Sequence, residues 1–248
     1  MTELKVPEYL VGGPQAGFCP GCGHGIVSRL FAEVLDEMHL AEDAILVFDV
    51  ACCSLLMFSA DYDNIGAAHG RPVITAAGVK KVRKNNPVLA YLGDGAAYAI
   101  GMSHTIWSAV RNDNITAIVV NNGVFGMTGG QMAPTTLAGQ KTTSSPAGRD
   151  TAYTGKPFDV TKALSGVDLA YLARGSVDSV PNVIKTKKYI RKALEKQMNN
   201  EGFSLVEILS PCPTNWGMSP LDAAKRVREV VIKEFPLGEY VERGVSHA

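Results

Sequence analysis

A carboxylate in a glycine turn, followed one βα unit later by two carboxamides, is the feature of this sequence that points most directly to chemistry. Asp94 lies in the turn at residues 93–95 (GDG), and Asn121 and Asn122 follow after residues 96–120. Mg²⁺ prefers oxygen ligands near octahedral positions, commonly carboxylate or amide oxygens together with phosphate oxygens. Glycine lets the backbone approach a phosphate closely because it carries no Cβ. The spacing therefore predicts a diphosphate cofactor bound through Mg²⁺.

Five cysteines form a second chemical group. Cys19 and Cys22 make a CPGC pair, whose spacing suits iron–sulfur clusters and structural zinc alike. Cys52 and Cys53 follow one strand-like run, and Cys212 stands between two prolines after another. In an intracellular protein such cysteines are more often metal ligands or free thiols than disulfides. Cys19, Cys22, Cys53 and Cys212 would complete a 4Fe–4S site, and zinc is an open alternative.

The segments that must position these groups alternate between strand-like and helical patterns. Strands are predicted at residues 44–50, 87–92, 115–120, 167–173 and 204–209. Helices are predicted at residues 96–111, 182–197 and 220–234. This alternation predicts an α/β fold, a mostly parallel sheet with helices on both faces. The glycine turn and the asparagine pair then lie at carboxyl ends of strands, where open α/β sheets bind ligands.

One long segment, residues 122–150, carries no strong periodicity and is rich in Gly, Thr, Ser and Pro. Loops of this length in compact domains are usually functional or disordered. Its phenylalanine, methionines and glutamines favour a loop that wraps a ligand or partner. Because no shift of composition marks a boundary, residues 1–248 are predicted to form a single domain. A loop around the CPGC pair opens this domain, and a tail ends it.

Composition narrows the classes of function. The formal net charge is 0, with 46% hydrophobic and 19% charged residues. The absence of a basic run argues against nucleic acid or an anionic membrane surface as partner. The first residues lack the apolar core of a signal peptide, and the longest apolar stretch, residues 44–60, is interrupted by Asp49. We therefore expect a soluble, cytoplasmic protein whose surface is partly covered by another subunit.

Five ordered motifs resemble one known family. They are residues 18–24 (FCPGCGH), 68–71 (AHGR), 93–95 (GDG), 121–136 (NNGVFGMTGGQMAPTT) and 210–213 (SPCP). Together they resemble the thiamine-diphosphate-binding β subunit of 2-oxoacid:ferredoxin oxidoreductases, over about residues 7–240. Within that family the chain is most similar to the enzymes acting on 2-oxoisovalerate or 2-oxoglutarate. The resemblance implies a thiamine-diphosphate-binding fold.

The resemblance also implies metal ligands. Asp94, the side chain of Asn122 and the backbone carbonyl of Val124 would bind Mg²⁺. The 4Fe–4S ligands would be Cys19, Cys22, Cys212 and one cysteine of the 52–53 pair. Cys53 is favoured in that pair because its Cys-Ser sequence fits the family pattern. The full predicted set is Cys19, Cys22, Cys53 and Cys212.

Further roles follow from the same resemblance. His24 and His69 are implied catalytic residues that would face the cofactor or the substrate carboxylate. Arg71 is a third candidate: from the sequence alone, it would pair with a phosphate or carboxylate, or form a surface salt bridge. The residues expected to contact the cofactor are Gly23, His24, His69, Gly93, Asp94, Gly95, Asn122, Val124, Gly126, Met127 and Thr128.

The implied reaction is oxidative decarboxylation of a 2-oxoacid with coenzyme A, giving acyl-CoA and CO₂. Thiamine diphosphate is the electron sink, and electrons leave through the 4Fe–4S cluster to ferredoxin. No convincing glutamate for activating the cofactor is found in the sequence. The resemblance implies that an α subunit, together with γ and δ subunits, supplies that glutamate and most contacts to coenzyme A. The alternative is a non-redox thiamine-diphosphate-dependent 2-oxoacid decarboxylase subunit, with structural or zinc-binding cysteines.

Overall fold

A seven-stranded sheet forms the centre of the structure, a computed structural model that describes residues 6–11 and 17–243. Its strands are β1 (Ile45–Asp49), β2 (Asp63–Ala67), β3 (Val88–Gly93), β4 (Thr116–Asn121), β7 (Tyr171–Ser176), β8 (Ser204–Leu209) and β9 (Gly238–Glu242). The order across the sheet is β2-β1-β3-β4-β8-β7-β9, and only the β7–β9 pair is antiparallel. Two short strands, β5 (Val124–Phe125) and β6 (Gln131–Met132), form a separate antiparallel pair.

Helices connect the strands and cover both faces of the sheet. They are α1 (His24–Glu37), α2 (Pro72–Val82), α3 (Met102–Val110), α4 (Thr151–Thr154), α5 (Val160–Leu164), α6 (Val180–Met198), α7 (Pro213–Trp216), α8 (Pro220–Arg226) and α9 (Ile232–Glu234). A 3₁₀ helix spans Cys52–Phe58, and π-helical turns occur at Ala96–Ile100 and Val227–Val231. Within residues 6–11 and 17–243, no helix combines the length and apolar character needed to cross a membrane.

Two apolar cores lie on opposite faces of the sheet because side chains alternate along each strand. On β3, Leu89 and Tyr91 pack in one core with α1 and α6. Val88 and Ala90 point the other way, into a core shared with α2 and α3. The predicted α/β class, a mostly parallel sheet with helices on both faces, is confirmed.

Most differences from the predicted elements lie at the sheet edges. The strand predicted at residues 167–173 is β7, which begins later, at Tyr171. Strand β2 was not predicted because its sequence DNIGA is polar and four of its five residues are exposed. Residues beyond α9 are more than a tail, since β9 pairs with β7, although residues 244–248 lie outside the described part. Edge strands bury little apolar surface, so their sequences carry little period-2 signal.

Candidate functional site

A small pocket opens where β1, β3 and β4 end. Parallel strands bring their carboxyl ends to one edge of the sheet, so segments distant in sequence meet there. The pocket is lined by predicted cofactor contacts from the loops after β2, β3 and β4 and from the start of α1. These are His24, His69, Gly93, Asp94, Gly95, Asn122, Val124 and Gly126.

Asp94 is fully enclosed beside this pocket, at 1% exposure. Its Oδ2 accepts hydrogen bonds from the Gly123 backbone N–H, at 3.0 Å, and from the Thr135 hydroxyl. Burial raises the pKa of Asp94 from 3.8 to about 7, while these hydrogen bonds act in the opposite direction. A buried carboxylate of this kind gains from a cation placed against it. The site therefore fits a divalent ion in both geometry and charge.

Asn122 and Val124 stand opposite Asp94 on the turn that follows β4. The Asn122 Oδ1 accepts a hydrogen bond from the Val124 N–H at 3.2 Å, and its backbone carbonyl accepts one from the Trp216 indole at 3.2 Å. Gly123, between them, has a φ of +69°, which glycine adopts without strain. An amide oxygen holding one hydrogen bond keeps a second lone pair, so Asn122 can still bind a metal ion.

Asn121 differs from its neighbour. Its Nδ2 donates to Glu207 Oε1 at 3.0 Å, and its Oδ1 accepts from the Gly123 N–H at 3.2 Å. Asn121 is buried and does not line the pocket. The asparagine pair therefore consists of one candidate ligand and one supporting residue.

Glycine is required at two points of the pocket wall because other side chains pack closely against the backbone there. A Cβ on Gly95 would lie 2.4 Å from the Phe125 ring, and one on Gly126 would lie 3.1 Å from the Cys52 Sγ. Met127 and Thr128, also predicted cofactor contacts, do not line this pocket. Thr128 instead hydrogen-bonds with Gln131, and Met127 is 46% exposed. The prediction for these two side chains is not supported by their placement.

The two predicted histidines lie in different environments. His24 is buried, with its Nδ1 2.6 Å from the Tyr91 hydroxyl and its ring stacked on Phe18. Burial lowers the pKa of His24 from 6.5 to about 4, so the ring is neutral at physiological pH. His69 is partly exposed, with its Nδ1 2.8 Å from Asp49 Oδ2.

Asp49 was noted in the sequence only as an interruption of an apolar stretch, yet it anchors this side of the pocket. Its two carboxylate oxygens accept from the His69 ring and, at 2.6 Å, from the Gly70 N–H. An aspartate at the end of an otherwise buried strand was the signal that could have identified it. The Asp49 carboxylate accepts a hydrogen bond from the Nδ1–H of His69. In a neutral His69 ring the other nitrogen, Nε2, therefore carries no proton.

Arg71 is not brought into the pocket. Its guanidinium donates to the backbone carbonyl of Ile100 at 3.0 Å and to that of His69 at 3.4 Å. The predicted pairing with a phosphate or carboxylate is replaced by these carbonyl contacts, which link the His69 turn to the helical segment after β3. In this structure Arg71 therefore supports a loop.

Four cysteines converge beside the pocket. Burial, together with the negative charge of neighbouring thiolates, raises the pKa of Cys22 to about 12 and that of Cys52 to about 11. For Cys22 these neighbours are Cys212, Cys52 and Cys19. Cys212 accepts a hydrogen bond from Asn215 Nδ2 at 3.3 Å, and the same amide reaches the Gly126 carbonyl at 3.1 Å. Asn215, which sequence reasoning missed, thus joins the cysteine group to the pocket.

Cys53, the predicted third cluster ligand, is buried in the apolar core of this structure. Cys53 borders the pocket, but its thiol is completely buried, donates to the Asp49 carbonyl at 3.5 Å and packs in the core. Adjacent residues in the 3₁₀ turn point in different directions, and Cys52 is the one directed toward Cys19 and Cys212. The Cys-Ser pattern alone could not resolve this choice, because it reads sequence order and not side-chain direction.

Gly23 fixes the CPGC turn to the end of β8. Its N–H donates to the Pro211 carbonyl at 3.3 Å, and a Cβ there would lie 2.2 Å from the Ser210 hydroxyl. Gly23 does not line the pocket, so its predicted cofactor contact becomes a packing role. This attachment brings Cys22 next to Cys212.

The chemistry of the cysteine group fits a cationic metal centre. Several buried thiols that repel one another when ionised need a strongly cationic group to become thiolates together. Within the described residues, no group of three His, Cys, Asp or Glu side chains is close enough to hold a single metal ion. A 4Fe–4S cluster places its cysteines around a much larger core.

Arg149, a further residue that sequence reasoning missed, organises the long loop. It is 6% exposed, and its guanidinium donates to the carbonyls of Pro134 at 2.7 Å and Thr136 at 2.8 Å, among others. The loop so held presents Thr135 to Asp94. The predicted ligand-wrapping loop is an ordered segment in contact with the pocket.

Comparison with known proteins places this chain in a family. Residues 55–208 match the family described as "Thiamine pyrophosphate enzyme, C-terminal TPP binding domain". The chain is 37% identical over 230 residues to the ketoisovalerate oxidoreductase subunit VorA of Methanothermobacter thermautotrophicus, covering 92% of this chain and 48% of that protein. The chain thus spans about half the length of this relative.

A second relative matches along most of its length. The chain is 34% identical over 212 residues to the 2-oxoglutarate synthase subunit KorB of Archaeoglobus fulgidus, covering 86% of this chain and 75% of that one. In fold it matches the 2-oxoglutarate:ferredoxin oxidoreductase of Magnetococcus marinus, solved with 2-oxoglutarate, coenzyme A and succinyl-CoA bound. That match has a TM-score of 0.80 at 22% identity and covers 99% of this chain and 87% of that one. The chain belongs to the thiamine pyrophosphate enzymes and, among them, to the subunit family of the 2-oxoacid:ferredoxin oxidoreductases.

Proposed function

We propose that this chain is the thiamine-diphosphate-binding β subunit of a 2-oxoacid:ferredoxin oxidoreductase that converts a 2-oxoacid and coenzyme A to acyl-CoA and CO₂. The observation that carries the proposal is the position of four cysteines beside the Asp94–Asn122 pocket. A diphosphate site alone would serve decarboxylation, whereas cysteines able to hold a cluster next to it provide an exit for electrons. We take the chain to act as one thiamine-diphosphate-binding domain.

Mg²⁺ and the diphosphate would be held at the ends of β3 and β4. Asp94 would supply the anionic ligand, Asn122 its amide oxygen and Val124 its backbone carbonyl. Gly93, Gly95 and Gly126 would leave room for the phosphate oxygens. This assignment rests on the buried carboxylate, the free lone pair of Asn122 and the glycine-lined wall.

A 4Fe–4S cluster would be held by Cys19, Cys22, Cys52 and Cys212. The mutual charge repulsion of these thiols supports the assignment, as does the hydrogen bond from Asn215 to Cys212. Cys19 is exposed, so the cluster would lie near the surface, where a one-electron carrier such as ferredoxin can approach.

Bound thiamine diphosphate supplies the electron sink that allows a 2-oxoacid to lose CO₂. His24 presents a neutral ring held by Tyr91. His69 is held by Asp49 through Nδ1, so its Nε2 can accept a proton or hydrogen bond from a group in the pocket. The apolar and buried wall around Asp94 excludes water from the diphosphate end.

The pocket is incomplete without a partner. None of the residues lining it is a glutamate, which agrees with a partner subunit supplying the group that activates the cofactor. Large apolar side chains are exposed on or next to segments that contribute to the pocket: Val50 is 59% exposed, Phe58 81% and Met127 46%. Exposed apolar side chains of this size favour a protein–protein interface. We propose that an α subunit, with γ and δ subunits where present, covers it and brings contacts for coenzyme A.

The named relatives narrow the proposed substrate to two kinds of 2-oxoacid. Relatives named for ketoisovalerate and for 2-oxoglutarate are both similar to this chain, so we propose a branched-chain 2-oxoacid or 2-oxoglutarate. The side-chain pocket that separates them would be formed partly by the partner.

The test is the cofactor content of the complex co-purified anaerobically with its partner subunits. Asp94→Asn keeps the size of the side chain but removes the charge that a cation needs, so thiamine diphosphate and Mg²⁺ should be lost. Asp113→Asn is the matched control. Asp113 pairs with Arg111 just before the amino end of β4, at the other end of the strand from the pocket, so this substitution should leave cofactor content unchanged. Full cofactor occupancy in Asp94→Asn would overturn the assignment.

A further inference from the structure

A buried ion pair lies behind the proposed Mg²⁺ site. Arg174 on β7 and Glu207 on β8 are direct neighbours in the parallel register, and the Arg174 Nε donates to Glu207 Oε2. Both are buried, Arg174 at 0% and Glu207 at 1% exposure. A buried pair of this kind costs desolvation energy, so its presence is weak evidence for a stabilising role.

Arg174 is held on every side. Its Nη2 donates to Asp159 Oδ1 at 2.6 Å, and its guanidinium lies over the rings of Phe235, at 5.1 Å, and Tyr240, at 5.6 Å. The planar guanidinium is therefore confined by a second carboxylate and two aromatic faces. Glu207 is consequently a fixed acceptor.

The chain of hydrogen bonds continues from Glu207 to the pocket. Glu207 Oε1 accepts from the Asn121 amide at 3.0 Å, and the Asn121 Oδ1 accepts from the Gly123 N–H at 3.2 Å. That same N–H lies 3.0 Å from Asp94 Oδ2. One backbone N–H is thus shared between Asn121 and the proposed metal ligand.

Through this shared contact, the hydrogen-bond network affects the position of the Asn122–Val124 turn relative to Asp94. Other contacts restrain this turn at its carbonyls: the Thr136 hydroxyl donates to the Gly123 carbonyl at 2.6 Å, and the Trp216 indole donates to that of Asn122 at 3.2 Å. Its central N–H is oriented by two acceptors, Asn121 Oδ1 and Asp94 Oδ2, so the direction of this peptide depends on both side chains. Mg²⁺ tolerates little departure from octahedral geometry, so a turn that moves would separate its ligands.

We propose that Arg174, Glu207 and Asn121 are positioning residues that hold the Asn122–Val124 turn in register with Asp94 for Mg²⁺ binding. This inference rests on the proposed function of that pocket. It assigns a role to Asn121, which contacts no ligand, and to an ion pair that lies outside the pocket.

The test measures metal affinity directly, with Mn²⁺ as the probe at saturating thiamine diphosphate. The co-purified complex is stripped of metal and cofactor by chelation, and free Mn²⁺ is followed by electron paramagnetic resonance. Asn121→Ala should raise the Mn²⁺ Kd by about 10- to 100-fold, the usual effect of losing a supporting residue behind a metal ligand.

A buried carboxamide elsewhere in the sheet serves as the control. Gln197 is fully buried and bridges the Val88 N–H, at 3.1 Å, and carbonyl, at 2.7 Å, at the start of β3. Gln197→Ala should lower the thermal stability of the complex to a similar extent as Asn121→Ala. It should leave the Mn²⁺ Kd within about twofold of the wild type, because the site is distant.

A charge exchange tests the network itself. Asn121→Asp alone places two carboxylates against each other and should weaken Mn²⁺ binding. Combined with Glu207→Gln, it restores one donor and one acceptor across the same contact, so affinity should recover toward the wild-type value.

Two results would overturn the inference. One is an Asn121→Ala complex that is destabilised like Gln197→Ala but binds Mn²⁺ with the wild-type Kd; the proposed function would then stand. The other is a wild-type complex that binds neither Mn²⁺ nor thiamine diphosphate, which removes the proposed function and this inference with it.

Discussion

At the scale of single residues, two adjacent cysteines have opposite environments. Cys52 faces the glycine-lined pocket and the other cysteines, while Cys53 is part of the apolar core. One turn of 3₁₀ helix is enough to separate them, because consecutive side chains leave such a helix in different directions.

This difference predicts distinct iron contents for two variants of the complex. Cys52→Ser should lose most of its iron and acid-labile sulfide, because serine is a poor ligand for an iron–sulfur cluster. Cys53→Ser should keep both, since its thiol contacts only the Asp49 carbonyl and core side chains. Colorimetric iron and sulfide assays after anaerobic purification measure the effect. The opposite pattern, with iron lost only from Cys53→Ser, would exclude Cys52 as the ligand.

Burial of Asp94 predicts how metal binding depends on pH. Its pKa is raised to about 7, so below that pH the metal-free carboxyl is protonated and an incoming cation must displace the proton. The Mg²⁺ Kd should therefore rise by about tenfold for each pH unit below 7 and level off above it. Calorimetric titration of the metal-free complex measures this slope. A Kd that is constant across the range from acidic to alkaline pH would contradict the proposed role of Asp94.

At the scale of elements, the pocket depends on how closely the segment after β3 approaches the His69 turn. A Cβ on Gly101 would lie 2.3 Å from the Gly70 carbonyl oxygen and 2.5 Å from that of Ala96. Both obstacles are backbone atoms, so neither can rotate away. The contact holds α3 against the turn that carries His69.

Two glycine variants separate this packing requirement from helix propensity. Gly101→Ala should lower the free energy of unfolding by about 1–3 kcal/mol, because the added methyl group displaces backbone. Gly78→Ala is the control: Gly78 is exposed in α2 with nothing within 4 Å, and alanine there should stabilise by about 0.5–1 kcal/mol. Denaturant unfolding of the chain measures both. Equal effects of the two substitutions would show that the close approach is not required.

The strands that end at the site could be predicted from the sequence, but the contacts that orient the side chains of the site could not. Buried parallel strands such as β3 and β4 are continuous apolar runs, so their ends, with Asp94 and Asn122, could be predicted. Whether Cys52 or Cys53 faces the cluster depends on the tertiary path of a short helix, which no periodicity encodes. The roles of Asp49 and Arg149 likewise arise from partners distant in sequence, which local patterns do not contain.

At the scale of the whole molecule, the chain presents one face of an active site. The pocket contains the proposed metal ligands and candidate proton carriers, but among its lining residues there is no glutamate. Val50, Phe58 and Met127 are exposed apolar side chains on or next to segments that contribute to the pocket. These features explain why the isolated chain should bind cofactor weakly and carry out no turnover, whereas the complete complex should do both.

The most direct test of the central claim is to add a 2-oxoacid and coenzyme A to the complete complex under anaerobic conditions while recording its visible spectrum. If electrons leave through a cluster beside the pocket, the brown absorbance should bleach within the first turnovers and acyl-CoA should accumulate. Both 2-oxoisovalerate and 2-oxoglutarate should be tried. Release of an aldehyde from an iron-free, colourless complex would contradict the account and identify a non-redox decarboxylase instead.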